Sequence, residues 1–284
     1  MIYMIWIIVY LIFATIFSQE FKVVNQNAKN ISALTVLLEI FTGFFALLLS
    51  VFFEYKFPND IRVYIVLLIV TVIYAITDRL NIEARYGLKT STFSMLKQLS
   101  TVFMVIFGIF LLKEEIVLKK IIGSILIIVA NILLARDKNG KLSINKYFIM
   151  CFISNFLFAV AMLINVNISS SFNIGIYTFI TVFIPSLIIK RFSNIKIKDL
   201  VNEFNIYDKK KFMLVAFSWC VMLISSVKAY EYGSISVVAP LLTLTSIINT
   251  FYEFIKDKKR DEFIYKLVIS IIILIGVVLI KIWI

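Results

Sequence analysis

The sequence predicts an all-α membrane protein, with ten transmembrane helices folded as two inverted five-helix repeats. Three observations predict it. The 284-residue chain is 61% hydrophobic, with a mean hydropathy of +0.98. Apolar runs of about 20 residues recur along its whole length, which is what a helix needs to cross a hydrocarbon layer about 30 Å thick. Third, polar turns recur at a constant offset of 146 residues. Tyr86-Gly87 returns as Tyr232-Gly233, Thr90 falls on Ser236, Lys113-Glu114-Glu115 on Lys259-Arg260-Asp261, and Ser124 on Ser270. An echo in the polar turns is hard to obtain by chance in so apolar a chain. Inside lipid each backbone amide must find an internal partner, and long continuous runs satisfy that as helices. Period-two alternation in short segments, the barrel signature, is absent.

The apolar runs place the spans at 3–20, 32–53, 62–81, 90–112 and 117–135, then 147–167, 172–190, 211–231, 234–255 and 263–282. The repeats are 1–140 and 141–284. The first run, MIYMIWIIVYLIFATIF, has no basic leader and no small-residue cleavage site, so it reads as a retained span. Two connections are tight, one around Tyr86-Gly87 and one around Tyr232-Gly233. A glycine in each is expected to let the chain reverse with positive φ. The segment 190–211 is the longest polar connection and too short for a soluble domain.

The net charge of +12 sits in the connections, where it reads as orientation signal and headgroup contact, not nucleic-acid binding. Odd-numbered connections hold most of it, for example Lys22, Arg85, Lys141, Lys209 and Lys259; even-numbered ones hold Lys56, Arg62, Lys113, Lys119, Lys120 and Lys228. The positive-inside rule then puts the odd connections in the cytoplasm and both termini outside. Histidine is absent, which excludes histidine acid–base chemistry and histidine-bearing metal sites. With no aspartate-rich metal motif and no phosphate loop, the chain is expected not to be an enzyme and to need no cofactor or metal. Cys151 and Cys220 lie in apolar runs without pairing or metal spacing and read as packing residues.

The segment 93–135 resembles the end of an EamA-type half of the drug/metabolite transporter superfamily: an apolar span, the turn Leu112-Lys113-Glu114, then a span opening with Gly123. Residues 229–280 repeat that layout, although Arg260 stands where the second glutamate would be. More distantly, Tyr74-Ala75, Leu80, Ala84 and Leu88 are similar to the third span of nucleotide-sugar transporters. Lys97 looks like the lysine those carry in their fourth span, displaced by about one turn. The resemblance implies a secondary active transporter moving a small polar or anionic metabolite across the cytoplasmic membrane by alternating access. The alternative is a flippase for a lipid-linked sugar or cell-envelope precursor. It also implies cytoplasmic termini, the reverse of the charge tally.

Residues within the spans supply the candidate site. Ser94, Lys97, Gln98 and Thr101 recur at i, i+3, i+4 and i+7, one polar stripe on an apolar helix. Lys97 is about 10 Å deep by helix rise. An ammonium there costs at least about 2.5 kcal/mol on insertion scales, so the stripe should face the bundle interior. It would attract an anionic or carbonyl-bearing substrate there, or serve as glue by pairing with Asp78 or Glu39. Asn155 in span six and Trp219 in span eight are further candidates to line the cavity, as are Asn165 and Asn167. Glu39 in span two, with Asp78 and Lys228 at the ends of spans three and eight, are candidates for coupling or gating. A buried carboxylate can take up and release a proton, which makes the proton the candidate coupling ion. The expected partners are the substrate and the bilayer, with the chain a monomer or homodimer in the cell membrane.

Overall fold

The computed structural model describes residues 2–111, 117–135, 144–164, 168–233 and 235–281, and among them there is no strand. The helices are α1 (Ile2–Gln26), α2 (Ile31–Leu49), α3 (Ile61–Gly87), α4 (Thr90–Leu96), α5 (Leu99–Leu111), α6 (Leu118–Leu134), α7 (Lys146–Ile164), α8 (Ile174–Phe192), α9 (Ile197–Phe204), α10 (Lys209–Tyr232), α11 (Ile235–Asp257) and α12 (Arg260–Lys281). Seven stretches are long and apolar enough to cross a membrane: α1, α2 with its following turn, α3, α4 with α5, α8, α10 and α12. The expected spans 117–135, 147–167 and 234–255 are α6, α7 and α11. In α11 the apolar character is diluted by Thr243, Thr245, Ser246, Asn249 and Thr250, all buried against other helices. The turn Leu112-Lys113-Glu114 and residues Asn165 and Asn167 lie outside the described residues.

Short polar side chains start the helices where the sequence supplies them. Asn30, Asp60, Asn173 and Asp208 precede α2, α3, α8 and α10, and each accepts a hydrogen bond from a backbone N–H of the first turn. The same Asn-then-Asp pair of caps therefore opens α2 and α3 and, later in the chain, α8 and α10. The 190–211 connection contains α9. Its Glu203 accepts hydrogen bonds from the backbone N–H groups of Lys29 and Asn30 at 3.1 and 3.0 Å, clamping the connection onto the start of α2.

Helices of one half pack mainly on helices of the other: α1 on α10, α3 on α7, α2 on α8 and α6 on α12. Each of these pairs is antiparallel. Along α1 and α10, Tyr3 lies by Gly233 and Glu20 by Lys211; along α3 and α7, Tyr86 lies by Tyr147 and Tyr74 by Phe158. Within lipid, apolar burial does not drive helices together, so close van der Waals approach must. Gly123 and Gly276 provide it where α6 crosses α12, each facing the other's carbonyl oxygen.

Two expectations are corrected. The glycines of the tight turns do not adopt positive φ; Gly233 has φ −131° and ψ 150°. They are small because side chains lie against them: Tyr147, from the opposite half, fills the space a Cβ at Gly87 would need, and Val238 together with Tyr3 does so at Gly233. The stretch 90–112, expected as one continuous helix, breaks between α4 and α5 at Lys97-Gln98. There the N–H groups of Gln98, Ser100 and Thr101 turn to carbonyls three residues back. The carbonyl of Leu96, which Ser100 would otherwise bind, is taken by Asn155 Nδ2 of α7 at 2.9 Å.

Candidate functional site

The polar residues of α3, α4 and α11 converge around the α4–α5 break. On α4, Ser94 Oγ accepts a hydrogen bond from Asn249 Nδ2 of α11 at 2.9 Å, and Asn249 Oδ1 accepts one from Gln19 Nε2 of α1 at 2.9 Å. One junction thus joins α1, α4 and α11. Lys97 stands at the break, partly buried, with its ammonium 4.8 Å from the Phe158 ring centroid. It makes no ion pair with Asp78 or Glu39 within 4 Å. Gln98 follows it, half-buried, and Thr101 is buried one turn on.

Asp78 and Arg85 lie seven residues apart, on one face of α3. Asp78 is within electrostatic reach of Lys97, and Lys97 of Arg85. Glu39 of α2 has 0% exposure, neither carboxylate oxygen has a hydrogen-bond partner, and Asp78 is its acidic neighbour. The structure therefore brings Ser94, Lys97, Gln98, Thr101, Asp78 and Glu39 into one region spanning α2 to α5.

Three other candidates have different surroundings. Asn155 holds the helix break together, as described, and its Oδ1 remains unsatisfied. Trp219 stacks on Phe17 with centroids 5.6 Å apart, in the apolar core between α1 and α10. Lys228 lies at the far end of the bundle from Arg85, because the end of α10 meets the start of α1 while the end of α3 meets the end of α1. It pairs with Glu231 at 2.7 Å and lies over the rings of Phe53 and Tyr232.

A second polar cluster, which sequence reasoning missed, ties α4 to α11 and α12 beside Lys89. Glu253 of α11 accepts hydrogen bonds from the Ser91 N–H at 2.8 Å and the Ser91 hydroxyl at 2.5 Å, both at the start of α4. Lys266 of α12 donates to Glu253 at 2.9 Å and to Ser91 Oγ at 2.8 Å, and lies 3.1 Å from Glu262. Glu262 in turn pairs with Lys89 at 2.5 Å. Burial alone would lower the Lys89 pKa, but the hydrogen bond and charge of Glu262 outweigh it and hold the ammonium above the usual lysine range. The signal was present: Ser246, Asn249, Thr250 and Glu253 repeat the i, i+3, i+4, i+7 spacing that singled out Ser94, Lys97, Gln98 and Thr101.

Lys22 is a further strut. Its ammonium donates to the carbonyls of Arg85, Tyr86 and Leu88 at 2.8, 2.8 and 2.6 Å, capping the end of α3 from α1. Asn25 adds a bond to the Ile82 carbonyl at 2.7 Å. A narrow cleft with no room for a water molecule in this conformation lies beside these groups, lined by Ser18, Lys22, Arg85, Leu88, Thr90 and Phe93.

Residues 1–136 match the EamA-like transporter family. No curated protein matches the chain. The matched stretch runs from α1 through α6, and so contains Glu39, Asp78, Lys97 and the helix break. Over residues 1–136 the chain is therefore similar to the EamA-like transporters, and its described residues include the several long apolar helices of a multi-pass membrane protein.

Proposed function

We propose that the chain is a secondary active transporter of the cell membrane, moving a small polar or anionic metabolite by alternating access between two inverted five-helix repeats, 1–140 and 141–284. One observation carries this reading: the helix packing keeps its pattern when the halves are exchanged. Replacing α1, α2, α3, α4–α5 and α6 by α7, α8, α10, α11 and α12 turns the α1–α10 contact into α7–α3, α1–α11 into α7–α5, and α2–α10 into α8–α3. The contacts α2–α8, α4–α11 and α6–α12 map onto themselves. The repeated caps and the paired Gly–Tyr contacts obey the same exchange. Antiparallel pairing of equivalent helices is what a two-fold axis in the membrane plane requires, and carriers so built place their sites between the repeats.

The departure from symmetry supports two alternating states. At the Lys89 end, α4 is tied to α11 and α12 through Ser91, Glu253 and Lys266. Past the break, α5 packs on α6 and α7 rather than on α11. In the 146-residue register, Ser91 and Glu253 correspond to Val237 and Phe107, which cannot form the same bonds. This conformation is closed at the Lys89 end, and transport requires that closure to be exchanged for one at the Lys228 end.

Uptake by purified protein in liposomes tests the reading, with a panel of carboxylates, phosphates, amino acids and amines. Scrambling of a headgroup-labelled lipid without uptake of any soluble solute would replace the carrier by the flippase. Lys97→Ala is expected to cut uptake at least about tenfold while leaving the melting temperature within a few degrees. Wild-type uptake by that variant would remove Lys97 from the site but leave the carrier standing. Glu39 serves as the coupling group in this scheme, since its protonation removes a charge from a fully buried position. Glu39→Gln should therefore exchange substrate across the bilayer yet fail to accumulate it against a gradient when a pH difference is imposed. Accumulation by Glu39→Gln at the wild-type level would move the coupling elsewhere.

A further inference from the structure

We infer that Arg85 and Lys97 together bind the oxyanion of a soluble organic anion, with Arg85 taking a carboxylate or phosphate group edge-on. This rests on the carrier reading and names the substrate class of that site.

The argument begins with what Arg85 lacks. Its guanidinium carbon lies over the Phe93 ring of α4, 3.9 Å from the centroid, and over the Phe17 ring of α1 at 5.0 Å. Stacked rings occupy the faces of a guanidinium and leave its five N–H donors in the plane, aimed outward. Among the described residues no acceptor takes a hydrogen bond from them. The neighbouring carboxylates are committed elsewhere: Glu83 to Arg79 and Lys146, Glu253 to Ser91 and Lys266, and Glu20 to Lys211.

The surroundings favour negative charge. The cleft beside Arg85 carries the hydroxyl residues Ser18 and Thr90. Three carbonyl oxygens that would repel an anion there, those of Arg85, Tyr86 and Leu88, are covered by the Lys22 ammonium. Lys97 is a second cation, with no ion pair within 4 Å among the described residues; it rests on the Phe158 ring, within electrostatic reach of Arg85 and Asp78. Two cations desolvated among apolar helices, with only the charge of Asp78 within reach of Lys97, do not help the fold, since they lack one compensating negative charge. An anionic substrate supplies that charge. Carboxylates and phosphates match the fork of a guanidinium bidentately, whereas a neutral sugar or an amine does not.

The competing explanation is that Arg85 only staples α1, α3 and α4 through its two rings. Thermal unfolding of the purified full-length protein distinguishes the two, titrated with succinate, with inorganic phosphate, and with glucose and ethanolamine as neutral and cationic controls. Succinate or phosphate should raise the unfolding temperature in a saturable manner, and the controls should not. Arg85→Met keeps an apolar stem against the rings. It should fold, yet require at least about tenfold more anion for half the effect, and Lys97→Met should behave alike. Lys198→Met, which removes one charge from the exposed face of α9, should match the wild type. Equal anion response in Arg85→Met and wild type would overturn the site and leave Arg85 a staple. Protection by phosphatidylglycerol alone, and by neither soluble anion, would overturn it in favour of a headgroup. Saturable anion binding without uptake in liposomes would sink the carrier reading and keep the site; uptake of neutral solutes alone would do the reverse.

Discussion

Gly123→Leu is expected to yield no monodisperse folded protein. A Cβ at Gly123 would sit 2.5 Å from the Gly276 carbonyl oxygen and 2.8 Å from Ile280 Cγ1, and one at Gly276 would sit 2.8 Å from the Gly123 oxygen. The two carbonyl oxygens are backbone atoms, so no rotamer change relieves their clashes; the two helices must separate. Overpacking in a soluble core costs about 1–3 kcal/mol, or more where neighbours cannot yield. Here separation also forfeits the close van der Waals contacts that hold α6 to α12 in lipid. Gly43 provides the internal control. A Cβ there would meet the side chains of Phe179 and Val182 at 3.3 Å, which can shift by the few tenths of an ångström needed. Size-exclusion profiles and unfolding temperatures in detergent should rank wild type and Gly43→Ala together, Gly123→Ala lower, and Gly123→Leu as aggregate. A monodisperse Gly123→Leu with wild-type unfolding would mean that α6 and α12 do not cross at this point.

Glu253→Ala should destabilise the protein by about 3 kcal/mol, the scale for removing one partner of a buried ion pair. The Lys266 side chain is only 8% exposed and would lose its main acceptor, while the Ser91 N–H and hydroxyl at the start of α4 would lose theirs. The loss comes mainly from stranded partners, not from the worth of the pair itself. Glu253→Gln combined with Lys266→Met should therefore recover most of the stability, because it strands no charge. The same change tests the gate. With α4 freed from α11, a cysteine in Thr90→Cys, at a position now buried, should be alkylated faster by a polar maleimide in the Glu253→Ala background. An unfolding temperature within a degree of wild type, with unchanged alkylation, would show that the cluster neither stabilises the fold nor closes the site.

Much of the architecture was legible from one dimension. The span starts read at 32, 62, 172 and 211 fall within two residues of helices α2, α3, α8 and α10, because apolar runs begin there; the caps Asn30, Asp60, Asn173 and Asp208 came only with the structure. The stripe of Ser94, Lys97, Gln98 and Thr101 pointed inward because lipid is intolerant of such groups. The break at Lys97-Gln98 was not legible, since Asn155, which takes the Leu96 carbonyl, is distant in sequence. Arg85 read as an interfacial charge at a span end; only the arrival of Phe17 and Phe93, distant in sequence or on another helix, shows that it packs against α1 and α4. Gly87 and Gly233 stood out correctly as special, but for backbone freedom, when the cause is close side chains, Tyr147 at Gly87 and Val238 with Tyr3 at Gly233.

Hydropathy and spacing by themselves determined the membrane-spanning helical class, most helix boundaries and the polar face of the fourth span, because each depends on how a short segment partitions between water, lipid and its own hydrogen bonds. Tertiary structure alone decided which helices cross, that Glu253 and Lys266 tie α4 to α11 and α12, and that Arg85 and Lys97 have no ion pair within 4 Å among the described residues. Those outcomes join residues as far as 175 positions apart. In hydrocarbon they turn on close packing and on which charges are left unpaired, properties of an assembled interior that no single segment carries.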